Sequence, residues 1–258
     1  MRPINLNEVN VFIQNNIGDF HERRDASLQT LKLQKVLKKK NPYLFKAKNI
    51  NDAHDLVKLL LDAHLSSQEE TVFGNFLEKL AIFICGQIFL GQKSAAEGID
   101  LEFTRDNIKY IVAVKSGPNW GNSSQIKRMK DNFRQAKRIL RTGNNQANII
   151  AVNGCCYGQT TESDKGDYLK VCGQEFWEFI SANDRVFVDI VEPMGYQAKE
   201  RTEKFLAEYD RVLNLFTLEI TQDFCVDGRI DWEKLVRLNS EKKVKKVKKV
   251  KKVRKAKK

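Results

Sequence analysis

Gly98-Ile99-Asp100-Leu101-Glu102-Phe103, followed after a short gap by Tyr110-Ile111-Val112-Ala113-Val114-Lys115-Ser116-Gly117, is the stretch that decides how this chain folds. Both runs alternate apolar and polar residues with the period of two expected of a half-buried strand, so together they predict a β-hairpin. Residues two apart share a strand face, which sets Asp100 beside Glu102 and aligns Lys115 with position 113. A carboxylate presented beside an ammonium suits metal-assisted cleavage of phosphodiesters. The acid can hold Mg2+ against a phosphate oxygen, and the Lys can organise the attacking water. A second acid is expected two residues before the Lys, and the chain has Ala113 there.

Outward from the hairpin the patterning is mostly helical. Residues 5–49 carry Val9, Phe12, Ile13 and Ile17 on one face and Leu28, Leu31, Leu33, Val36 and Leu37 on another, until Asn41-Pro42 stops the helix. Asn51 and Asp52 cap a helix running to about His64, and a longer apolar helix spans roughly 69–90. After the hairpin come a Gly/Asn/Ser-rich loop, a basic helix from about Ser124 to Arg141, and short strands at 148–152 and 168–171. Helices are expected over 173–180 and 184–191, the latter stopped at Glu192-Pro193, then over 198–216 with an extension towards Cys225, and near 231–238. The fold class is α/β: a mixed central sheet of about four or five strands flanked by helices, with N- and C-terminal helical additions. The regions are an N-terminal helical cap or dimerisation region over 1–66, a core over 67–240, and a disordered Lys-rich tail over 241–258.

Composition at first suggests a polyanion-binding protein, with 45 Lys and Arg against 33 Asp and Glu and a net charge of +12. Residues 241–258 supply +11 of that, where Lys-Lys-Val recurs, so the body is nearly neutral and its pI is no argument for DNA binding. The tail alone would suit an RNA-associated protein through counterion release. Five cysteines, Cys85, Cys155, Cys156, Cys172 and Cys225, form no CxxC pair and no zinc-ligand spacing, which favours structural thiols in a reducing interior. No signal-peptide pattern is evident, and no apolar run approaches the roughly 20 residues of a membrane span. The expected location is the cytoplasm of a prokaryote, with no membrane partner and no nucleotide cofactor.

The hairpin with Asp100, the strand ending in Val114-Lys115 and a preceding helix carrying Glu78 resemble the core of the PD-(D/E)XK nuclease superfamily. The loop Ser116-Gly117-Pro118-Asn119-Trp120-Gly121-Asn122-Ser123-Ser124-Gln125, with Cys172-Gly173-Gln174-Glu175-Phe176-Trp177, is similar to one family of type II restriction endonucleases within it. The resemblance implies a restriction-endonuclease-like core and Mg2+-dependent hydrolysis of double-stranded DNA to 5′-phosphate ends. Asp100 would be the first metal ligand, and Lys115 would position water or stabilise developing charge.

Ala113 departs from that pattern and leaves three explanations: the acid has moved, it was replaced, or the protein binds without cutting. Migration to Glu78 is favoured, because the neighbours Gly74, Asn75, Ala81 and Ile82 on its helix face are small and mostly apolar. The bland alternative is an edge Glu pairing with a nearby Lys. The expected metal set is Asp100, Glu78, Glu102 on the same strand face, and the Val114 carbonyl; the catalytic set is Asp100, Lys115 and Glu78. Glu97 and Asp131 are weaker candidates.

Asn119, Trp120, Asn122, Ser123, Ser124 and Gln125 follow the catalytic Lys directly. Asn and Gln can read adenine bidentately, and Ser either base. The bland alternative has Ser123 or Ser124 capping the next helix and Trp120 filling a core gap. That helix presents Lys127, Arg128, Lys130, Arg134, Lys137, Arg138 and Arg141 around a buried stripe, a phosphate-tracking face. A palindromic target calls for a homodimer with two active sites. A structure-specific repair nuclease and a catalytically inactive DNA-binding module are the alternatives.

Overall fold

A computed structural model of the chain describes residues 2–143 and 148–242. Nearly all of the Lys-rich tail expected to be disordered lies outside these residues. The hairpin forms as β1 (Leu101–Arg105) and β2 (Ile108–Lys115), paired antiparallel with Arg105 opposite Ile108. Asp106 and Asn107 make the two-residue turn, both at positive φ (53° and 61°). Two left-handed residues match the twist of the flanking strands, and Asp and Asn tolerate that conformation.

β2 then pairs in parallel with β3 (Asn148–Cys155), and β3 in parallel with β4 (Leu169–Cys172), giving a mixed four-stranded sheet in the order β1-β2-β3-β4. The parallel β2–β3 step needs a crossover, and α5 (Ser123–Gly143) supplies it. β3 runs three residues past the expected Val152. Asn153 and Gly154 weaken its strand signal, yet Gly154 is the residue that fits: a Cβ there would stand 2.3 Å from the Phe176 ring.

Each face of the sheet is covered. On one, Leu101, Phe103, Tyr110, Val112 and Val114 meet α1 (Leu6–Gln29) through Val9, Ile13 and Ile17, α4 (Ala53–Phe89) through Leu80, Ala81, Ile84 and Ile88, and α6 (Gln174–Ser181) through Phe176, Trp177 and Ile180. On the other, Ile111, Ala113, Ile149 and Ala151 lie under Met129, Phe133 and Ala136 of α5. Burying aliphatic and aromatic side chains on both faces is what parallel pairing requires.

Several elements differ from expectation. The helices at 51–64 and 69–90 are one continuous helix, α4, because Leu65-Ser66-Ser67-Gln68 contains neither Gly nor Pro to break it. α4 is also long and apolar enough to cross a bilayer, contrary to the expectation of no such run; its buried stripe is spent on the core. Pro42 opens a helix, α3 (Pro42–Ala47), with Asn41 as its cap, where a stop was expected; α2 (Leu33–Leu37) precedes it. The helix expected at 184–191 is two single turns, α7 (Val186–Asp189) and α8 (Val191–Met194), and α8 accepts Pro193 in its first turn. α9 (Ala198–Phe224) takes its longer form, and Asp231 caps α10 (Trp232–Ser240).

By its contacts the chain divides into two compact units. The first comprises residues 1–30 and 63–210 and contains the four-stranded sheet. The second comprises 31–62 and the described residues from 211 on, and holds a small hairpin, β5 (Cys225–Val226) and β6 (Arg229–Ile230). The sequence boundary at residue 66 falls inside α4, and α1 belongs to the unit that carries the sheet.

Candidate active site

The site is built at the mouth of the hairpin. Asp100 precedes β1; its backbone N–H donates to the Val112 carbonyl (2.9 Å), while its Oδ2 accepts from the Val114 N–H at 2.7 Å. That bond fixes the carboxylate against the end of β2. Two residues earlier Gly98 sits at φ +71°, where a Cβ would lie 1.9 Å from the Asn132 Nδ2 of α5, so the entry to the site admits only glycine. Lys115 ends β2 with its Nζ 3.7 Å from Asp100 Oδ2 and donating to the Val114 carbonyl at 2.9 Å.

Glu78 joins them from α4. Burial and, next, the Asp100 carboxylate push its carboxyl above the usual range, while Lys93 and Lys115 pull it back. Lys93 Nζ lies 3.4 Å from Glu78 Oε1. Glu78 thus feels both Asp100 and Lys115, and it has the Lys partner of the bland reading as well. Gln92 sets the approach, since its backbone exchanges two hydrogen bonds with Glu102 (3.0 and 2.9 Å) and ties the segment after α4 to β1.

Glu102 is turned to other work. Its carboxylate accepts from Gln92 Nε2 (3.1 Å) and lies 3.5 Å from both Ser94 Oγ and Lys109 Nζ. Glu97 pairs with Arg128 at 2.9 Å, and Asp131 with Arg134 at 2.7 Å, both pairs exposed. Ala113 is fully buried in the cluster under α5. Its neighbour across β3 is Asn153, a polar residue only 2 % exposed, which strand register places on the same face as Asp100 and Lys115. Sequence reasoning passed over Asn153. Its one signal is an amide inside an otherwise apolar strand.

The loop after Lys115 is held from below. Lys170 Nζ donates to the Pro118 carbonyl at 2.9 Å, and the Tyr157 N–H to the Ser116 carbonyl at 3.1 Å. The cap of α5 is neither Ser123 nor Ser124, which corrects that expectation. Asn122 and Gln125 form a reciprocal capping box: Gln125 N donates to Asn122 Oδ1 (3.1 Å) and Asn122 N to Gln125 Oε1 (2.8 Å). Asn119, Ser123, Ser124, Lys127 and Arg128 are exposed. Trp120 is half-buried, packed against the cluster that holds Ala113, with Lys115 Nζ 5.2 Å from its ring centre. Residues 7–202 match the family model described as type II restriction endonuclease EcoO109I. The chain belongs to this family. The match covers α1, the hairpin, α5 and α6, so the elements that build the site all lie inside the restriction endonuclease region. No curated protein matches the chain. The sheet, its flanking helices and the Asp100–Lys115 pair are consistent with the PD-(D/E)XK superfamily.

Among the described residues one exposed group, Asp52, His54 and Asp55, has donor atoms within 4.8 Å of one another. It lies in the second unit, and Asp52 is occupied in accepting the Asp55 N–H (2.9 Å) at the start of α4.

Proposed function

We propose that the chain is a sequence-specific endonuclease that hydrolyses both strands of DNA with Mg2+ and leaves 5′-phosphate ends. The observation that carries the reading is the convergence of Asp100, Lys115 and Glu78 at the hairpin mouth of a restriction endonuclease family member. Two carboxylates, Asp100 near enough to push the Glu78 carboxyl upward after burial, with a backbone carbonyl at Val114 beside Lys115, form an all-oxygen set that suits a hard divalent cation. Asp100, Glu78 and the Val114 carbonyl would hold it, and the ion would supply Lewis-acid stabilisation of charge on the phosphate and a more acidic water. Glu102, committed to Gln92, Ser94 and Lys109, is the weakest member of the expected set.

The protein's own groups do the rest. Val114 N–H aims the Asp100 carboxylate, which leaves Oδ1 for the site. Lys115 stands where its ammonium can orient the attacking water and offset charge on the phosphorane oxygens. Asn119, Ser123 and Ser124 offer side chains to base edges, Asn122 and Gln125 do so on leaving their cap, and Lys127 and Arg128 meet phosphates at the start of α5. Two chains would act as a homodimer on a palindromic site in a prokaryotic cytoplasm.

The test is incubation of the whole chain with mixed-sequence linear DNA and Mg2+, beside Asp100→Ala. Discrete fragments from the first and none from the second are expected. Random degradation would point to a structure-specific nuclease. Ala113 favours one second reading, an inactive DNA-binding module, which predicts site-selective binding with no cutting.

A further inference from the structure

Ala113 leaves Lys115 without a carboxylate on its own strand face, and an aromatic ring stands nearby in its place. Trp120 packs against the buried cluster of Ile99, Ile111, Ala113 and Met129, and presents its ring to Lys115 Nζ at 5.2 Å. A cation within about 6 Å of an indole face is attracted by the ring quadrupole, more strongly where water is partly excluded. The Lys115 side chain is 30 % exposed, so part of its hydration has been removed. The loop that carries the ring is anchored by Lys170 on Pro118 and by Tyr157 on Ser116, and the Tyr157 ring lies so close to Gly117 that a Cβ there would meet it at 2.3 Å.

Lysine is a point charge on a flexible stem and takes its position from what surrounds it. Here two oxygens, Asp100 Oδ2 and the Val114 carbonyl, draw the ammonium, and the indole bounds it. We propose that Trp120 is a positioning residue for Lys115, holding by its π-face the ammonium that a carboxylate at position 113 would otherwise hold. A neutral ring steadies the Lys without competing for the divalent ion, and this agrees with a metal-binding acid supplied from α4. The inference rests on the nuclease reading for its catalytic consequence, but the contact itself can be tested without cutting.

Trp120→Leu keeps an apolar filling and removes the ring, whereas Trp120→Phe keeps a ring. Trp120→Leu should lower kcat about tenfold or more, with KM for DNA held within about twofold, and Trp120→Phe should recover most of the loss. A raised KM at unchanged kcat would make Trp120 a DNA contact and overturn the proposal, as would unchanged kcat and KM. The second arm uses metal-free protein without DNA. Lys115→Met should change tryptophan emission in the parent chain and leave it unchanged in the Trp120→Phe background. Equal changes in both backgrounds, or none in either, would overturn the proposal even if Trp120→Leu does not fold. If no DNA is cut but the emission coupling is present, the nuclease reading fails and the contact stands.

Discussion

Replacing Ala113 with Glu restores the acid that the superfamily pattern expects, and the structure argues that it should harm the protein. Ala113 has no exposed surface and is enclosed by Ile99, Ile111, Met129, Phe133, Ala136, Ile149 and Ala151, with Trp120 packed against the same cluster. A Glu adds a methylene and a carboxylate to that space. Overpacking a filled core costs about 1–3 kcal/mol, and a buried carboxylate with imperfect pairing costs about as much again. Lys115 on the same strand face offsets part of this, so the net loss should be about 3 kcal/mol. For a chain of this size each kcal/mol moves Tm by about 2–4 °C, which puts the melting point of Ala113→Glu about 6–12 °C below the parent. Thermal unfolding by circular dichroism, paired with cleavage of linear DNA in Mg2+, reads both effects. Unchanged Tm together with faster cutting would show that position 113 opens onto the site, and both the enclosure argument and the transfer of the acid to Glu78 would fall.

Four further outcomes are expected. Glu78→Gln should reduce cutting by at least about 10²-fold while binding persists, and unchanged cutting would exclude it as a ligand. Because folding raises the Glu78 carboxyl, its contribution to stability is fully present below the ordinary carboxylate range and is lost as pH rises through the raised value. In chelator, Glu78→Gln should therefore melt above the parent at pH 8, with the gap closing towards pH 4; a gap that widens in acid would contradict the burial argument. Gly98→Ala, strained by its positive φ and driven into Asn132, should disturb the Asp100 approach and lower both Tm and cutting, whereas parent-like behaviour in both would mean the entry is not as tight as drawn. Among the thiols, Cys155 is pushed up to about 12 by burial and Cys85 and Cys156 higher still, so labelling of native protein at pH 7.5 should find the half-buried Cys225 first. Rapid labelling of Cys155 would count against its enclosure.

The hairpin was legible because its alternation is local, and so were α5 with its basic face and the parallel strands around it. What escaped the sequence depends on neighbours far along the chain. β3 continues through Asn153-Gly154 because Phe176, some twenty residues on, demands a missing side chain there. Leu65-Ser66-Ser67-Gln68 reads as an interruption only if polarity is mistaken for a break. Asp227-Gly228, both at positive φ, is a plain turn signal between β5 and β6 that was overlooked because strands of two residues have no period to detect. At the site, Asp100 and Lys115 were readable from strand parity. The engagements of Glu102 with Lys109 and of Trp120 with Lys115 are matters of side-chain direction, which spacing does not encode.

The capping box at the start of α5 has a consequence for discrimination. Before any DNA arrives, the amide side chains of Asn122 and Gln125 already have ligands, each in the other's backbone. Reading a base with either one is an exchange reaction in which a helix cap worth about 1 kcal/mol is surrendered. A matching base edge returns about 1–3 kcal/mol through a bidentate pair, whereas a mismatched one returns little. Under the proposed reading the cost of opening the cap is the same for every sequence, and only an edge that returns more than this would draw the amides away from the helix.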